Sequence, residues 1–171
     1  LKGGVAGGSL VQGSLEVGDE IELRPGIREG NKWRTITTEI KAIMAGKQKI
    51  DKGTPGGLLG VQTSLDPSIA KSDGLAGNVL GKKGELPDIY ESFKIEVNLM
   101  DRVVGTENKE DIENIKAKEP LMINVGTAKT TGIVTQAGNV IKADLKIPVC
   151  AEKGERVAIS RKIGARWRLI G

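Results

Sequence analysis

The chain has 171 residues, enough for one domain or two small ones, and its 26 basic and 22 acidic side chains leave a formal net charge of +4. It contains no histidine and a single cysteine, Cys150, which excludes an internal disulfide, an ordinary zinc site and Ser-His or Cys-His catalysis. No apolar run reaches the length of a membrane span and no signal peptide opens the chain, so we expect a cytoplasmic protein without membrane contact.

The first half of the sequence favours short strands over helices. The chain has 24 glycines and an aromatic content of only 2%, and glycine punctuates short runs of Val, Ile, Leu and Thr, as is typical of strands and tight turns. The cluster "EVGDE" predicts a hairpin between two short strands, and the Thr-rich stretch "TITTEIKAIM" predicts a longer one. Further short strands are predicted in "PGGLLGVQT" and "GNVLG".

A domain boundary is predicted at Pro87, which follows a basic turn and precedes a clean period-two strand, "SFKIEVNLM". One face of that strand carries Phe93, Ile95, Val97 and Leu99. A charged connection with one short helical turn follows, and then at least four more strands in "LMINVG", "GIVTQAGNVIKADLKIP", "ERVAIS" and "RWRLIG". The sequence therefore predicts an all-β protein of two small β-barrels, residues 1–86 and 87–171.

The stretch "GNVLGKKG" resembles the end of a phosphate-binding loop but lacks its defining residues. A P-loop needs a glycine five positions before the Gly-Lys pair and a Ser or Thr after it. Ala76 and Lys83 occupy those positions around Gly81 and Lys82. We therefore interpret the stretch as a closing strand, Asn78–Leu80, followed by a turn with solvated lysines.

Carboxylate chemistry is the enzymatic alternative that the composition leaves open. The acids cluster in polar, turn-like segments, where a solvated face is the ordinary outcome. The two groups are Asp19, Glu20 and Glu22, and Glu110, Asp111 and Glu113. We predict no catalytic residue and no metal site, and keep a small β-barrel enzyme using carboxylates as an unfavoured alternative.

The C-terminal strands are strongly basic. From Lys153 to the end, six basic residues stand against one acid, Glu155, and Trp167 lies between two arginines. Such a strand edge can bind phosphates and stack on exposed bases, although a solvated edge protected by its charges is the alternative. The predicted RNA-facing edge comprises Arg156, Arg161, Lys162, Arg166, Trp167 and Arg168.

Long segments of the chain, among them "TSLDPSIAKSDGLAGNVLG" and "ISRKIGARWRLIG", are similar to the gamma subunits of archaeal and eukaryotic translation initiation factor 2. The resemblance covers essentially the whole chain and, more broadly, extends to the second and third domains of elongation factor Tu-like GTPases. It implies that a preceding GTPase domain holds GTP and Mg²⁺, and that this chain, which starts at Leu1, is a fragment without that domain or its cofactors. An archaeal origin is the natural expectation, with the barrel pair of a selenocysteine-specific elongation factor as the alternative within the family.

The resemblance also implies partners. In the family, methionylated initiator tRNA is delivered to the small ribosomal subunit, and its 3′ end lies between the GTPase domain and the first barrel. Glycines there would let backbone approach the terminal adenosine, although ordinary turn glycines are the alternative. The candidate residues for this cleft are Lys2, Gly3, Gly4, Gly56, Gly57 and Leu58.

The remaining partners implied by the resemblance are the other subunits of a heterotrimer. The alpha subunit would dock on the first barrel and the beta subunit on the GTPase domain. For the alpha subunit the candidate contacts are Arg28, Lys32 and Trp33, because an unburied Trp beside basic residues makes a good interface anchor.

Overall fold

The computed structural model describes residues 3–101 and 112–171, and divides into two compact units, Leu1–Leu86 and Pro87–Gly171. Both units are built of curled antiparallel sheets, which confirms the prediction of an all-β protein of two small barrels. The α-helix that the described residues contain is four residues long. Within this part of the chain, no helix is long and apolar enough to cross a membrane.

The first unit contains eight strands, one short α-helix and a 3-10 turn. Five strands follow the order β1-β7-β4-β3-β8, β5 pairs with β4, and β2 and β6 form a separate two-stranded ribbon. The elements are β1 Val5–Ser9, β2 Leu15–Glu16, β3 Glu20–Glu29, β4 Lys32–Ala45, β5 Gln48–Ile50, β6 Lys52–Gly53, β7 Leu58–Thr63, α1 Pro67–Ala70, the 3-10 turn Lys71–Asp73 and β8 Val79–Lys82.

The core of the first unit follows from period-two alternation. Along β4, Ile36 and Ile40 are buried while Thr37 and Glu39 are exposed, as expected for a strand with one face on the core. The central cluster comprises Leu15, Ile21, Ile40, Ile43, Leu59 and Val61. The Thr-rich stretch "TITTEIKAIM" is therefore a strand, as predicted, and extends over 14 residues.

The hairpin predicted around "EVGDE" is wrong. A turn does form, since the Glu16 N–H donates to the Asp19 carboxylate at 2.9 Å. However, the Gly18 N–H then donates to Ile40 O at 2.8 Å, and the Ile40 N–H donates to Asp19 O at 3.0 Å. The turn therefore bonds to β4 and does not join two paired strands. β2 pairs with β6, and β3 pairs with β4 and β8.

A bulge between Leu23 and Ile27 redirects the end of the β3–β4 hairpin. Gly26 lies there with φ +97°, and a Cβ on it would sit 1.8 Å from Arg34 O, so only glycine fits. The Asn78 side chain holds this turn, since its Oδ1 accepts the Gly26 N–H at 2.7 Å and its Nδ2 donates to Gly26 O at 3.3 Å.

The stretch "GNVLGKKG" forms the edge strand β8, which pairs with β3. Its Gly-Lys pair lies within the strand, not after it. Both lysines are solvent-accessible, as predicted, and each also has a carboxylate partner: Lys82 Nζ lies 3.2 Å from the Asp19 carboxylate and Lys83 Nζ lies 2.8 Å from that of Glu20. These ion pairs link the end of β8 to the residues at the start of β3.

The second unit is one six-stranded antiparallel sheet in the order β14-β13-β10-β11-β12-β9. Its strands are β9 Ile89–Glu96, β10 Pro120–Val125, β11 Ala128–Gln136, β12 Val140–Cys150, β13 Val157–Ile163 and β14 Arg166–Leu169. The two edges approach each other after β9 and β14, where the Met100 N–H donates to Ile170 O at 2.8 Å. This bond joins the segments that follow the two edge strands of the sheet.

The core of the second unit is continuous, and the face predicted for "SFKIEVNLM" contributes to it. Ile95 is buried, and Phe93, Val97 and Leu99 pack against the same cluster, although the strand itself ends at Glu96. Cys150 is also buried, as expected for a small apolar residue. The predicted helical turn of the charged connection is absent from residues 112–116, and residues 105–111 of that connection lie outside the described residues.

Candidate functional site

The first half of the predicted tRNA cleft lies where β1 begins. The Gly4 N–H donates to Leu65 O at 2.8 Å, and its carbonyl accepts both the Thr63 N–H and the Thr63 hydroxyl at 2.9 Å. A Cβ on Gly3 would lie 2.2 Å from Thr63 O. These glycines therefore permit close approach to neighbouring backbone of the same barrel, and Lys2 lies outside the described residues.

The second half of the predicted cleft is open to solvent. No atom lies within 4 Å of a Cβ built on Gly56 or Gly57, and 75% of Leu58 is exposed. Sequence reasoning missed another exposed apolar residue, Val11, which follows β1 and is 83% exposed. Its position between Gln12 and the glycine-rich β1 was the available signal. Gly56, Gly57 and Leu58 therefore form an accessible tip with one exposed apolar side chain.

The structure does not bring the two halves together. Gly4 bonds to Thr63 at one end of the β1–β7 ladder, whereas Ser9 pairs with Leu58 at the other end. Five residues of antiparallel strand separate Gly4 from Ser9, which corresponds to about 17 Å. A single nucleotide cannot contact both sets.

The residues predicted to bind the alpha subunit meet at the tip of the β3–β4 hairpin. Arg28 pairs with Trp33 across the two strands, and Lys32 pairs with Glu29 on the opposite face of the ribbon. Trp33 is half-buried and not fully exposed as predicted. The Arg28 Nε donates to Gly30 O at 2.9 Å, which fixes the side chain over the turn.

The other face of this hairpin carries an ion pair between Arg34 and Glu29. The Arg34 guanidinium lies 2.6 Å from the Glu29 carboxylate, and this hydrogen bond lowers the pKa of Glu29 and raises the pKa of Arg34. Both groups are exposed, so the pair orients side chains more than it stabilises the fold. Lys32 thus lies beside a neutralised pair, and Arg28 lies beside Trp33 on the other face.

The predicted RNA-facing edge is split between two faces of the β13–β14 hairpin. Arg161 pairs with Arg168, and Ile163 pairs with Arg166, on the face that continues the core side of the sheet. Lys162 pairs with Trp167 on the outer face. Arg156 lies in the connection before β13 and is exposed. The six predicted residues therefore do not form one surface.

Arg161 is held within the second unit. Its guanidinium donates to the Glu119 carboxylate through Nε, to Glu113 O at 2.9 Å and to Asn114 O at 3.3 Å. Only 17% of the side chain is exposed. It anchors the segment that precedes β10, and Arg166 and Arg168 are the better candidates for an external phosphate.

The carboxylates do not assemble into a catalytic pair among the described residues. Glu22 is buried, but Arg24 lies 2.9 Å away and the Gly84 N–H donates to it at 3.1 Å, so it is a structural ion-pair residue. Glu20 and Glu39 border an open depression of about 480 Å³. Each has a lysine partner, Lys83 or Lys41.

Of the second predicted group of acids, Glu110, Asp111 and Glu113, only Glu113 lies among the described residues. The Glu113 carboxylate lies 2.7 Å from Lys116 Nζ, and this hydrogen bond lowers the pKa of the exposed carboxyl. Glu110 and Asp111 lie outside the described residues. Nothing in this arrangement favours the carboxylate-enzyme alternative.

Comparison with known proteins finds similarity to one family. The family model "Initiation factor eIF2 gamma, C terminal" matches residues 91–171. A protein named translation initiation factor 2 subunit gamma from Pyrococcus abyssi is 57% identical over 176 residues, covering 100% of this chain and 43% of its own length. Proteins of the same name from Archaeoglobus fulgidus and Methanocaldococcus jannaschii are each 54% identical over the whole chain, which covers 41% and 43% of them.

Proposed function

The chain belongs to the family of translation initiation factor 2 gamma subunits, and from this premise we propose that residues 1–171 form a two-barrel binding platform for initiator tRNA and the alpha subunit. The single observation that supports this most strongly is the 54–57% identity to archaeal gamma subunits over the whole chain. The chain spans about two fifths of the length of those relatives. Delivery of methionylated tRNA to the small ribosomal subunit, in the cytoplasm, would require the remainder as well.

Guanine nucleotide and Mg²⁺ would be held outside these residues. The residues present do not fit a nucleotide, because Gly81 and Lys82 lie inside strand β8 and the Lys82 ammonium is 3.2 Å from Asp19. A P-loop instead presents backbone N–H groups and a free lysine at the start of a helix. We therefore assign the platform no step of nucleotide chemistry, and the beta subunit would bind outside it too.

The open tip of the first barrel is the better half of the predicted tRNA site. Gly56 and Gly57 are exposed, no atom lies within 4 Å of a Cβ built on either, and Leu58 offers an apolar surface beside them. Such groups can bond ribose or phosphate oxygens and pack against a base. Gly3 and Gly4 would support the site indirectly, since they fix β1 against β7.

The alpha subunit would dock on the face of the β3–β4 hairpin that carries Arg28 and Trp33. A half-buried Trp beside an oriented Arg is a typical interface anchor. Lys32, on the opposite face, would contribute at the rim. The bulge at Gly26 and the Asn78 side chain set the direction in which the hairpin leaves the barrel.

A chimera tests the tRNA proposal. The matching 43% of the Pyrococcus abyssi relative would be replaced by residues 1–171, and filter binding with methionylated initiator tRNA would be followed across a salt series. We expect binding within threefold of the parent, with an affinity that falls steeply as salt rises because phosphate contacts release counterions. The variant Gly57→Val should weaken binding about tenfold, and the control Ala137→Val, which adds bulk at an exposed position of the second unit, should not.

Two further measurements separate the alternatives. A pull-down with the alpha subunit should retain the chain and lose the variant Trp33→Ala, whereas the barrels of a selenocysteine-specific elongation factor should capture no alpha subunit. Titration calorimetry of residues 1–171 with guanine nucleotides should show no binding. Micromolar nucleotide affinity, or salt-insensitive tRNA binding by the chimera, would overturn the proposal.

A further inference from the structure

The face of the β3–β4 hairpin that carries Arg28 and Trp33 holds a cation that the proposed docking of the alpha subunit would cover. Arg28 and Trp33 lie opposite one another in the strand register, so their side chains share one face of the ribbon. Arg28 is exposed and Trp33 is half-buried. A partner that packs on Trp33 therefore also removes the Arg28 guanidinium from water.

Arg28 is held by a bond to the turn of the hairpin. Its Nε donates to Gly30 O at 2.9 Å, and neither Nη group has an acceptor in the part of the chain that the structure describes. A planar guanidinium presents such donors as a fork that matches the two oxygens of a carboxylate. Because Nε is already bonded, a partner would have to order less of this long side chain on binding.

The hairpin does not neutralise Arg28 itself. Residues 28–34 carry three basic side chains and one acid, a net charge of +2. The acid, Glu29, belongs to the opposite face, where its carboxylate lies 2.6 Å from the Arg34 guanidinium. Lys32 lies opposite Glu29 in the register and adds its charge to that same face. Since no carboxylate among the described residues pairs with Arg28, a carboxylate for it must come from the partner.

We propose that the alpha subunit presents a carboxylate to Arg28, next to an apolar side chain that packs on Trp33. This contact rests on the docking proposed above and gives that docking its specificity. A guanidinium that loses water without gaining an acceptor destabilises a complex strongly, whereas a bidentate carboxylate satisfies it. Lys32, on the opposite face, keeps its water and therefore contributes mainly to the rate of association.

RNA matches this face less well than a carboxylate beside an apolar group. Binding driven by phosphates gains affinity from several cations along the backbone, and single-stranded RNA stacks successive bases on aromatic rings. Between residues 28 and 33 this face has one cation, Arg28, and one aromatic ring, Trp33. Displacement of the alpha subunit by RNA is therefore the competing outcome of the test.

The first test compares charge reversals on the two faces of the hairpin. Titration calorimetry with the alpha subunit would measure the affinity of residues 1–171 and of each variant. Arg28→Glu should weaken binding about thirtyfold, and Arg28→Lys, which keeps the charge but not the fork, about tenfold. Lys32→Glu, on the opposite face, should weaken binding about twofold. Arg166→Glu, the matched change at an exposed arginine of the second unit, should leave the affinity unchanged.

The second test finds the partner of Arg28 by charge exchange. Each Asp and Glu of the alpha subunit would be replaced in turn by Lys and titrated against Arg28→Glu. One replacement should restore about tenfold of the lost affinity and should itself weaken binding to the unchanged chain. Amide chemical shifts of β3 and β4 would show whether Arg28→Glu disrupts the hairpin. In that event Arg28→Met, which keeps the apolar stem, takes its place in calorimetry and should weaken binding about tenfold.

The outcomes separate this contact from the docking itself. If Trp33→Ala abolishes capture while Arg28→Glu binds as tightly as the unchanged chain, the alpha subunit docks here without the carboxylate contact, and the proposal is overturned. It is also overturned if no charge exchange restores binding, or if oligouridine displaces the alpha subunit. If residues 1–171 capture no alpha subunit at all, the docking fails and this contact fails with it.

Discussion

The two units build their interiors in different ways. Of the 24 glycines, 17 lie in residues 1–86 and seven in residues 87–171. Among the described residues, the main core cluster of the first unit has six buried members and that of the second has 13. The first barrel thus depends more on close backbone approach and polar ties, and the second on packed side chains. The difference explains why the first unit has open glycine turns and the second unit has a sheet packed on a continuous side-chain core.

The largest effect should come from a cavity in the second core. Ile123 is fully buried in β10, and Ile123→Ala should reduce the free energy of unfolding of the second unit by about 4 kcal/mol. Hydrogen exchange, read separately for β10 and β4 amides, would measure each unit. The control Ile133→Ala, on the same sheet but 45% exposed, should cost less than about 1 kcal/mol. An equal loss from both would contradict a core built on side-chain packing.

A glycine substitution probes the first unit in the same way. Gly26→Ala adds a Cβ 1.8 Å from Arg34 O at φ +97°, and should destabilise the first unit by about 3 kcal/mol. The matched control is Gly30→Ala, at φ +62° with no atom within 4 Å, which should cost about 1 kcal/mol. Because both positions require positive φ, the difference between them isolates the close approach. Urea unfolding monitored by Trp33 fluorescence would report both, and equal costs would refute this role of the backbone.

The second unit also has one polar tie that resembles those of the first. Arg161→Ala removes the charged donor of the Glu119 carboxylate, which still accepts the Lys116 N–H, and the side-chain donor to the Glu113 carbonyl, and should reduce stability by about 2 kcal/mol. Arg166→Ala, an exposed arginine of the same hairpin, should cost about 0.5 kcal/mol or less. Thermal unfolding of both variants would compare them. A loss for Arg161→Ala no greater than that for Arg166→Ala would show that the tie contributes little.

The sequence predicted the fold class and the strands with strong alternation, and failed where pairing depends on distant residues. The face of Phe93 and Ile95 was readable because alternation is a local property. The "EVGDE" hairpin was not, because the partner of Gly18 is Ile40, more than 20 residues away. The same limit applies to the candidate sites. The sequence does not distinguish Arg161 from the other basic residues, because its partner Glu119 is distant in the chain. The residues of β13 and β14 can be assigned to two faces only once the register of the strands is known.

The smallest effect should be a pH dependence in the turn that ties β2 to β3. The Glu16 backbone N–H, and then Lys82, lower the pKa of Asp19 against the opposing effect of burial. The folded carboxyl therefore binds fewer protons than the unfolded one near its ordinary value of 3.8. Its contribution to stability is present above that pH and is lost as the pH falls through the lower, folded value.

In the variant Asp19→Asn the first unit should lose that part of its acid dependence. The slope of the unfolding free energy between about pH 4 and pH 2 would be measured for both proteins by urea titration. The asparagine keeps an oxygen that can accept the Glu16 N–H but carries no charge for Lys82, so stability at pH 7 should fall slightly while the acid slope becomes shallower. The second unit supplies the internal control, because its acid slope should not change. An unchanged slope in the first unit would show that the Asp19 ties do not contribute to its stability, and the contrast between the two barrels would then depend on backbone approach alone.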